Sequence, residues 1–293
     1  MGDSFWGKKM SLRDLLKKTV TGGEWFVAYR SVDDKSYKLV KAPENQWCAD
    51  PFVFEADGEH YIFVEQYIKE KGCIGYFQFK DGEPHYKGKL IENSYHMSYP
   101  DVFSYDDRIY MIPESSANNT VDLYVADAFP QKWRKVKTLI SEQKYVDSTV
   151  YQDEKDLYLI SYSMIGGYEI HVFLLDMKNL NVKLISKKRY KRNVARPGGR
   201  LFFEDGKLMR PAQDCSRKYG EALIVYQVDD LNRNGEFVEH EVRQIKTDGL
   251  HIKKKPERIH HMTNDGTYEV IDVYKERIDL LHIPRIFWRA RRK

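Results

Sequence analysis

Asp50 in "CADPF" and Asp147 in "YVDST" occupy the same place in two similar stretches, four residues before an aromatic anchor (Phe54 and Tyr151). Glu65 and Glu114 likewise stand eleven residues after the anchors Phe54 and Phe103. Carboxylates that recur at equivalent positions can converge in the folded chain, and a convergent pair can act as proton donor and acceptor. The same residues can instead accept backbone N–H bonds or cap turns. The positions equivalent to Asp50 also hold Tyr99 and Gly198. Different groups at one repeated position favour functional use over a uniform structural device.

A second constellation lies in "ARPGGRLFFEDGKLMRPAQDCSRKYG", which carries Arg196, Arg200, Arg210, Gln213, Asp214, Arg217 and Tyr219. Guanidinium forks bind phosphate or carboxylate bidentately, so the run suits a charged sugar donor or a lipid-linked phosphate. Alternatively, Arg196 and Arg210 pair with Asp214, Asp147 or Glu114 and tie neighbouring units together. Trp47, Tyr99 and Tyr219 offer flat faces for stacking on a sugar ring, or simply pack. His251 precedes the last repeat as a candidate substrate or axial group. The His260-His261 pair carries little signal by itself.

The elements that position these residues are read from repetition. The unit is an apolar run, an acidic or Gly turn, then a Tyr-containing run, anchored at Phe54, Phe103, Tyr151 and Phe202 with spacings of 49, 48 and 51 residues. A fifth copy, "RIHHMTNDGTYEVIDVY", follows at a longer interval. About 50 residues holding about four short strands make a propeller blade, so the expected fold is all-β, a five-bladed β-propeller with short helical N- and C-terminal extensions. The early strands "EWFVAYR" and "YKLVKAP" are spare and are expected to complete the last blade, which removes an open sheet edge. The expected organisation is an extension over 1–22 with an amphipathic helix at Ser11–Lys18, the propeller over 23–275, and a basic amphipathic tail over 276–293.

The motifs "CADPFVFEADGEHYIFVEQ", "SYPDVFSYDDRIYMIPESS", "YVDSTVYQDEKDLYLIS" and "RPAQDCSRKYG" resemble the N-terminal propeller domain of glucosamine inositolphosphorylceramide transferases and its stand-alone bacterial relatives, over about residues 24–275. More distantly the chain is similar to the five-bladed arabinanase, levansucrase and invertase superfamily. The resemblance implies a carbohydrate site on one face, with Asp50 at the general-base position and Asp147 at the position that orients the acid. Glu114 is the remaining candidate acid, although the arabinanase-type acid comes from blade four, where this chain has "RPGGR". The expected catalytic set is therefore Asp50, Glu114 and Asp147. Trp47, Glu65, Tyr99, Arg196, Arg200, Arg210, Gln213, Asp214, Arg217, Tyr219 and His251 are the expected substrate contacts.

Composition limits the classes. A formal charge of +4 on 293 residues is mild, and the small basic clusters follow no nucleic-acid motif, so no nucleic-acid partner is expected. Three widely spaced cysteines define neither a disulfide framework nor a zinc site, and P-loop and GxGxxG patterns are absent, so no metal or cofactor is expected. The start of the chain lacks a signal-peptide pattern, and no run approaches the roughly 20 apolar residues of a membrane span, which predicts a cytoplasmic protein. The tail "PRIFWRARRK" suits peripheral contact with an anionic membrane at its inner face, or docking on protein. The expected function is glycosyl transfer from a nucleotide-linked or lipid-linked sugar in surface polysaccharide or glycolipid synthesis. A glycoside hydrolase or phosphorylase, and a non-catalytic glycan-binding module, are the alternatives.

Overall fold

The computed structural model describes residues 21–278 apart from 69 and 254. The expected helix at Ser11–Lys18 and the tail from 279 onward lie outside the described residues. The described residues start with β1 (Thr21–Ser31) and β2 (Ser36–Leu39). Blade one follows as β3 (Trp47–Ala56), β4 (Glu59–Ile68), β5 (Lys71–Lys80) and β6 (Glu83–Ile91). Blade two is β7 (Ser98–Tyr105), β8 (Arg108–Ser115), β9 (Thr120–Ala128) and β10 (Lys132–Ser141). Blade three is β11 (Tyr145–Gln152), β12 (Leu157–Ser163), β13 (Glu169–Asp176) and β14 (Asn181–Arg189). Blade four is β15 (Phe202–Glu204), β16 (Lys207–Asp214), β17 (Ala222–Leu231) and β18 (Phe237–Ile245).

The last strands, β19 (His251–Ile252), β20 (Arg258–Asn264) and β21 (Tyr268–Ile278), share one sheet with the first two, in the order β19-β2-β1-β21-β20. The spare N-terminal strands thus close the ring, with β1 and β21 antiparallel from Thr21↔Ile278 to Ser31↔Tyr268. The protein is an all-β, five-bladed propeller.

Sequence pattern explains the layering. The inner and second strands of a blade are covered on both faces by neighbouring blades, and β4 is correspondingly buried without alternation from Tyr61 to Gln66. The outer strands β6, β10, β14 and β18 are largely exposed and rich in Lys, Arg and Glu. Apolar clusters fill the spaces between blades: Phe63, Tyr76, Val102 and Met111 between blades one and two, and Ile112, Leu123, Val150 and Leu159 between two and three. Ala28, Ile259 and Ile271 meet Leu223 where blade five joins blade four.

The inner strands of blades one, two, three and five begin at one end of the ring, termed the mouth, and are interrupted there by a β-bulge. Pairing skips between Ala49 and Phe52, Ser98 and Asp101, Val146 and Thr149, and Ile259 and His261. Asp50, Tyr99 and Asp147 sit in these bulges with φ of 47°, 45° and 52°, the left-handed region that non-glycine residues seldom enter. Bulges re-aim side chains, and here they turn successive blades' residues toward the axis. Blade four replaces the device with "RPGGR". A Cβ on Gly199, at φ 130°, would fall 1.8 Å from the Met262 carbonyl oxygen, so only glycine lets the segment before β15 approach β20.

Candidate active site

The bulges are linked around the axis by carboxylates that grip the next blade's backbone. Asp272 on β21 accepts the Asp50 N–H at 2.9 Å, Asp50 accepts the Tyr99 N–H at 3.2 Å, and Glu114 accepts the Asp147 N–H at 3.2 Å. This layer of hydrogen bonds joins blades five, one, two and three and brings Asp50, Glu114 and Asp147 to the mouth. Glu65 joins them through the ladder pair Ala49↔Glu65, matched in blade two by Ser98↔Glu114. Gln213 holds the same place in blade four, eleven residues after Phe202.

Asp147 is clamped by two side chains. The Arg196 guanidinium forks onto both of its oxygens, with Nη2 at 3.2 Å from Oδ1, and Gln213 Nε2 donates to Oδ2 at 2.8 Å. Arg196 Nη2 also lies 3.8 Å from Glu114 Oε2. Burial pushes the Glu114 carboxyl up to about 8, helped by the charge of Asp147 and opposed by Arg196. Burial likewise raises Asp50 to about 7, against the pull of His260. Glu65 is raised well above the usual carboxylate range by burial and by the neighbouring Asp50 and Glu114. Several acids packed in a poorly hydrated mouth thus retain protons near neutral pH.

The histidines are part of the same assembly. His260 Nδ1 is 2.6 Å from Asp272, its Nε2 is 3.5 Å from Asp50 Oδ1, and Trp25 stacks on its ring with centroids 3.9 Å apart. Burial disfavours its charged form, but Asp272 and Asp50 outweigh burial and raise its pKa. Asp50, His260 and Asp272 place ligand-type atoms within 4.8 Å of one another. Asp272, however, already accepts the N–H groups of Asp50, His260 and His261 as well as the His260 ring. This donor-saturated carboxylate fits a hydrogen-bonded strut better than a metal ligand. At the rim His96 Nδ1 accepts the Gly72 N–H at 2.9 Å, which leaves Nε2–H facing Glu65 at 3.2 Å.

Other residues expected at the site are dispersed. Tyr99 is fully buried, with its hydroxyl between Thr149 at 2.7 Å and the Gly199 N–H at 3.0 Å, so its ring is closed to a ligand. Arg200 lies deeper along the axis, bound to Asp101 at 2.8 Å and to the Val102 carbonyl, and it bridges blades away from the mouth. Arg210 is 0% exposed and bidentate to Glu239 within blade four. Strand alternation explains this: Arg210 and Gln213 are three apart and face opposite sides of β16. Asp214, on the side of Arg210, binds Arg192 and Gln244. Arg217 is exposed and paired with Glu221. His251 is exposed on the outer edge strand β19, paired with β2, and is not part of the mouth. Trp47 stacks on Tyr67 at 4.4 Å near the His96 rim. Tyr219 belongs to the mouth, with Arg196 5.2 Å from its ring centroid and His260 edge-on at 5.2 Å. The arginine cluster of the sequence is therefore not a cluster in space, because only Arg196 reaches the acids.

Asp272, Trp25 and His96 are singled out by no sequence motif, and His260 stands out there only as half of the weak His260-His261 pair. His260 occupies the blade-five bulge, and that equivalence was hidden by the long insertion before the last repeat. Asp272 was visible only as an acid within the apolar run "EVIDVY".

Comparison with known proteins places this geometry in context. Residues 8–267 match the family model described as glucosamine inositolphosphorylceramide transferase 1, N-terminal. Glucosamine inositolphosphorylceramide transferase 1 of Arabidopsis thaliana is 31% identical over 233 residues, which cover 75% of this chain and 30% of the relative. Its counterpart from Oryza sativa subsp. indica is 31% identical over 205 residues, 65% of this chain and 27% of the relative. The chain thus spans less than a third of the length of these relatives. Among solved structures, the β-xylosidase RS223 aligns over 78% of this chain and 92% of its own with a TM-score of 0.56 at 11% identity. An α-L-arabinofuranosidase of Clostridium thermocellum aligns over 76% of this chain and 80% of its own with a TM-score of 0.57 at 13% identity. These two share the fold.

Proposed function

Because the chain belongs to the family defined by the N-terminal part of glucosamine inositolphosphorylceramide transferase 1, we propose that its mouth binds a carbohydrate and transfers a glycosyl group, with Glu114 as proton donor and Asp50 as proton acceptor. The observation that carries the reading is the pair of buried carboxyls raised to about 7 and about 8 beside Asp147, which is clamped by Arg196 and Gln213. Making or breaking a glycosidic bond needs an acid for the leaving oxygen and a base for the incoming hydroxyl. Glu114 holds its proton at neutral pH and can give it to the leaving oxygen. Asp50 takes the proton of the acceptor hydroxyl as that oxygen bonds to the anomeric carbon. Arg196 and Asp147 are positioning residues that fix Glu114 from two sides.

The donor's chemistry follows from the same groups. Arg196 is the guanidinium that reaches these acids, and it is already committed to Asp147, so the mouth is acid-rich. A phosphate leaving group needs no proton, so a proton-holding Glu114 would be idle with such a donor. The site therefore suits a donor whose leaving group is a sugar or alcohol oxygen, in the setting of glycolipid or surface polysaccharide synthesis. That feature also supports a second reading, in which water or phosphate is the acceptor and the reaction is hydrolysis or phosphorolysis.

Aryl glycosides test the assignment. Glu114→Gln is expected to lose about 10²–10⁴ in rate on substrates with poor leaving groups and much less on a dinitrophenyl glycoside, whose leaving group needs no acid. Asp50→Asn is expected to lose activity on both. Retained binding of glycans without turnover of any glycoside or nucleotide sugar would overturn catalysis and leave a glycan-binding module. Product formed with an added sugar acceptor, in place of free sugar, separates transfer from hydrolysis.

A further inference from the structure

We propose that the mouth end of blades three and four is a docking surface for an anionic membrane. The loop between β12 and β13, "MIGGY", exposes Met164 at 55% and Ile165 at 64%, followed by exposed Tyr168. Tyr145 pairs with Ser163 across β11 and β12, so this loop projects at the same end of the ring as Asp147. Gly166 and Gly167, at φ of 96° and 90°, let the chain reverse beyond Ile165 and hold the two apolar side chains at its tip. The loop is anchored from both sides, by Met164 N–H to the Lys144 carbonyl and Tyr190 N–H to the Tyr168 carbonyl.

Basic side chains flank this tip. Lys144, Arg189, Lys191, Arg192, Arg217 and Lys218 are all exposed at this end, in the connections that enter or leave the same blade ends. The acids Glu142, Glu169, Asp214 and Glu221 lie there too; three of them pair with Arg189, Arg192 and Arg217, which leaves Lys144, Lys191 and Lys218 against Glu142. An apolar tip within a mostly basic rim is complementary to a bilayer with anionic headgroups, where apolar groups enter the interface and lysines and arginines stay at the headgroups. The chain's own C-terminal segment is a poor occupant. Residues 279–293 carry five Lys or Arg against one acid, so like charge opposes its covering this rim.

This inference does not rest on the catalytic reading, because none of its residues belongs to the acid–base set. The test is co-sedimentation of the full chain with vesicles of phosphatidylcholine alone or mixed with phosphatidylglycerol. The wild-type protein is expected to bind the anionic vesicles and to weaken with added salt. Met164→Ser/Ile165→Ser and, separately, Lys191→Glu/Lys218→Glu are expected to lose at least about tenfold in binding with unchanged melting temperature. Failure of the wild-type protein to bind anionic vesicles overturns the proposal, as does undiminished binding by both variants, which would move membrane contact to another part of the chain. Equal binding to both vesicle types would remove the basic rim from the account and overturn it in this form.

Discussion

Glu114 is a carboxyl whose proton is kept by its surroundings, and this makes it a reporter as well as a candidate acid. Its folded-state pKa, about 8, lies above the unfolded value, so the native state binds the extra proton between these limits. The stabilisation is therefore fully present below the unfolded pKa and is lost as pH rises through about 8. Glu114→Gln cannot ionise, and its stability relative to wild type is expected to improve between pH 5 and pH 8, by at most about 1.4 kcal/mol per pH unit. Urea titrations at several pH values check this; a constant difference would mean that Glu114 is ionised in the native protein. Catalysis adds a second expectation. Asp50 must be ionised and Glu114 protonated, so the pH–rate profile should be a narrow bell between about 7 and 8, with the alkaline limb lost in Glu114→Gln. The acids were legible in the sequence because they recur at fixed distances from the anchors. The arginines were not, because sequence proximity says nothing about which side of a strand faces the axis.

At the level of elements, the bulge is the unit that converts a repeat into a site. An ordinary inner strand would alternate its side chains between neighbouring blades, whereas the left-handed residue re-aims its side chain and frees its N–H for the previous blade's carboxylate. Blade four departs from this pattern, and Gly199 is its most exacting position. Gly199→Ala would press a methyl group onto the Met262 carbonyl and is expected to cost roughly 2–4 kcal/mol, read as a drop in the urea midpoint. Arg210 makes the complementary case. Arg210→Ala leaves the buried Glu239 with only the Tyr190 hydroxyl and Lys188, 3.8 Å away, and should cost about 3 kcal/mol, while Arg210→Met/Glu239→Leu should recover most of that loss. If Arg210 instead met substrate, the single variant would lose activity with little change in stability. The blade count and strand order were readable from the anchor spacing. The fifth bulge and its His260 were not, since 3₁₀ and edge segments between residues 246 and 257 displace the last copy from the repeat.

Over the whole molecule, stability is distributed around a closed ring of inter-blade cores, so disturbance at the seam should be felt everywhere. Val27 in β1 is buried in the cluster shared by blades five and one. Val27→Asp is expected to lower the melting temperature in a single transition, with amide exchange accelerating in blades one to four as well as in blade five; acceleration confined to blade five would mean that the blades unfold independently. The seam has another consequence. Thr21 and Ile278 face each other as ladder partners, so the path into the propeller and the path out of it lie side by side. A short linker could join them while a new break is made at an exposed turn such as Asn232–Gly235, giving a circular permutant with the same blades in a different order. By the same geometry, the unit can be spliced into a longer polypeptide as a self-contained loop, leaving the segments before and after it as neighbours.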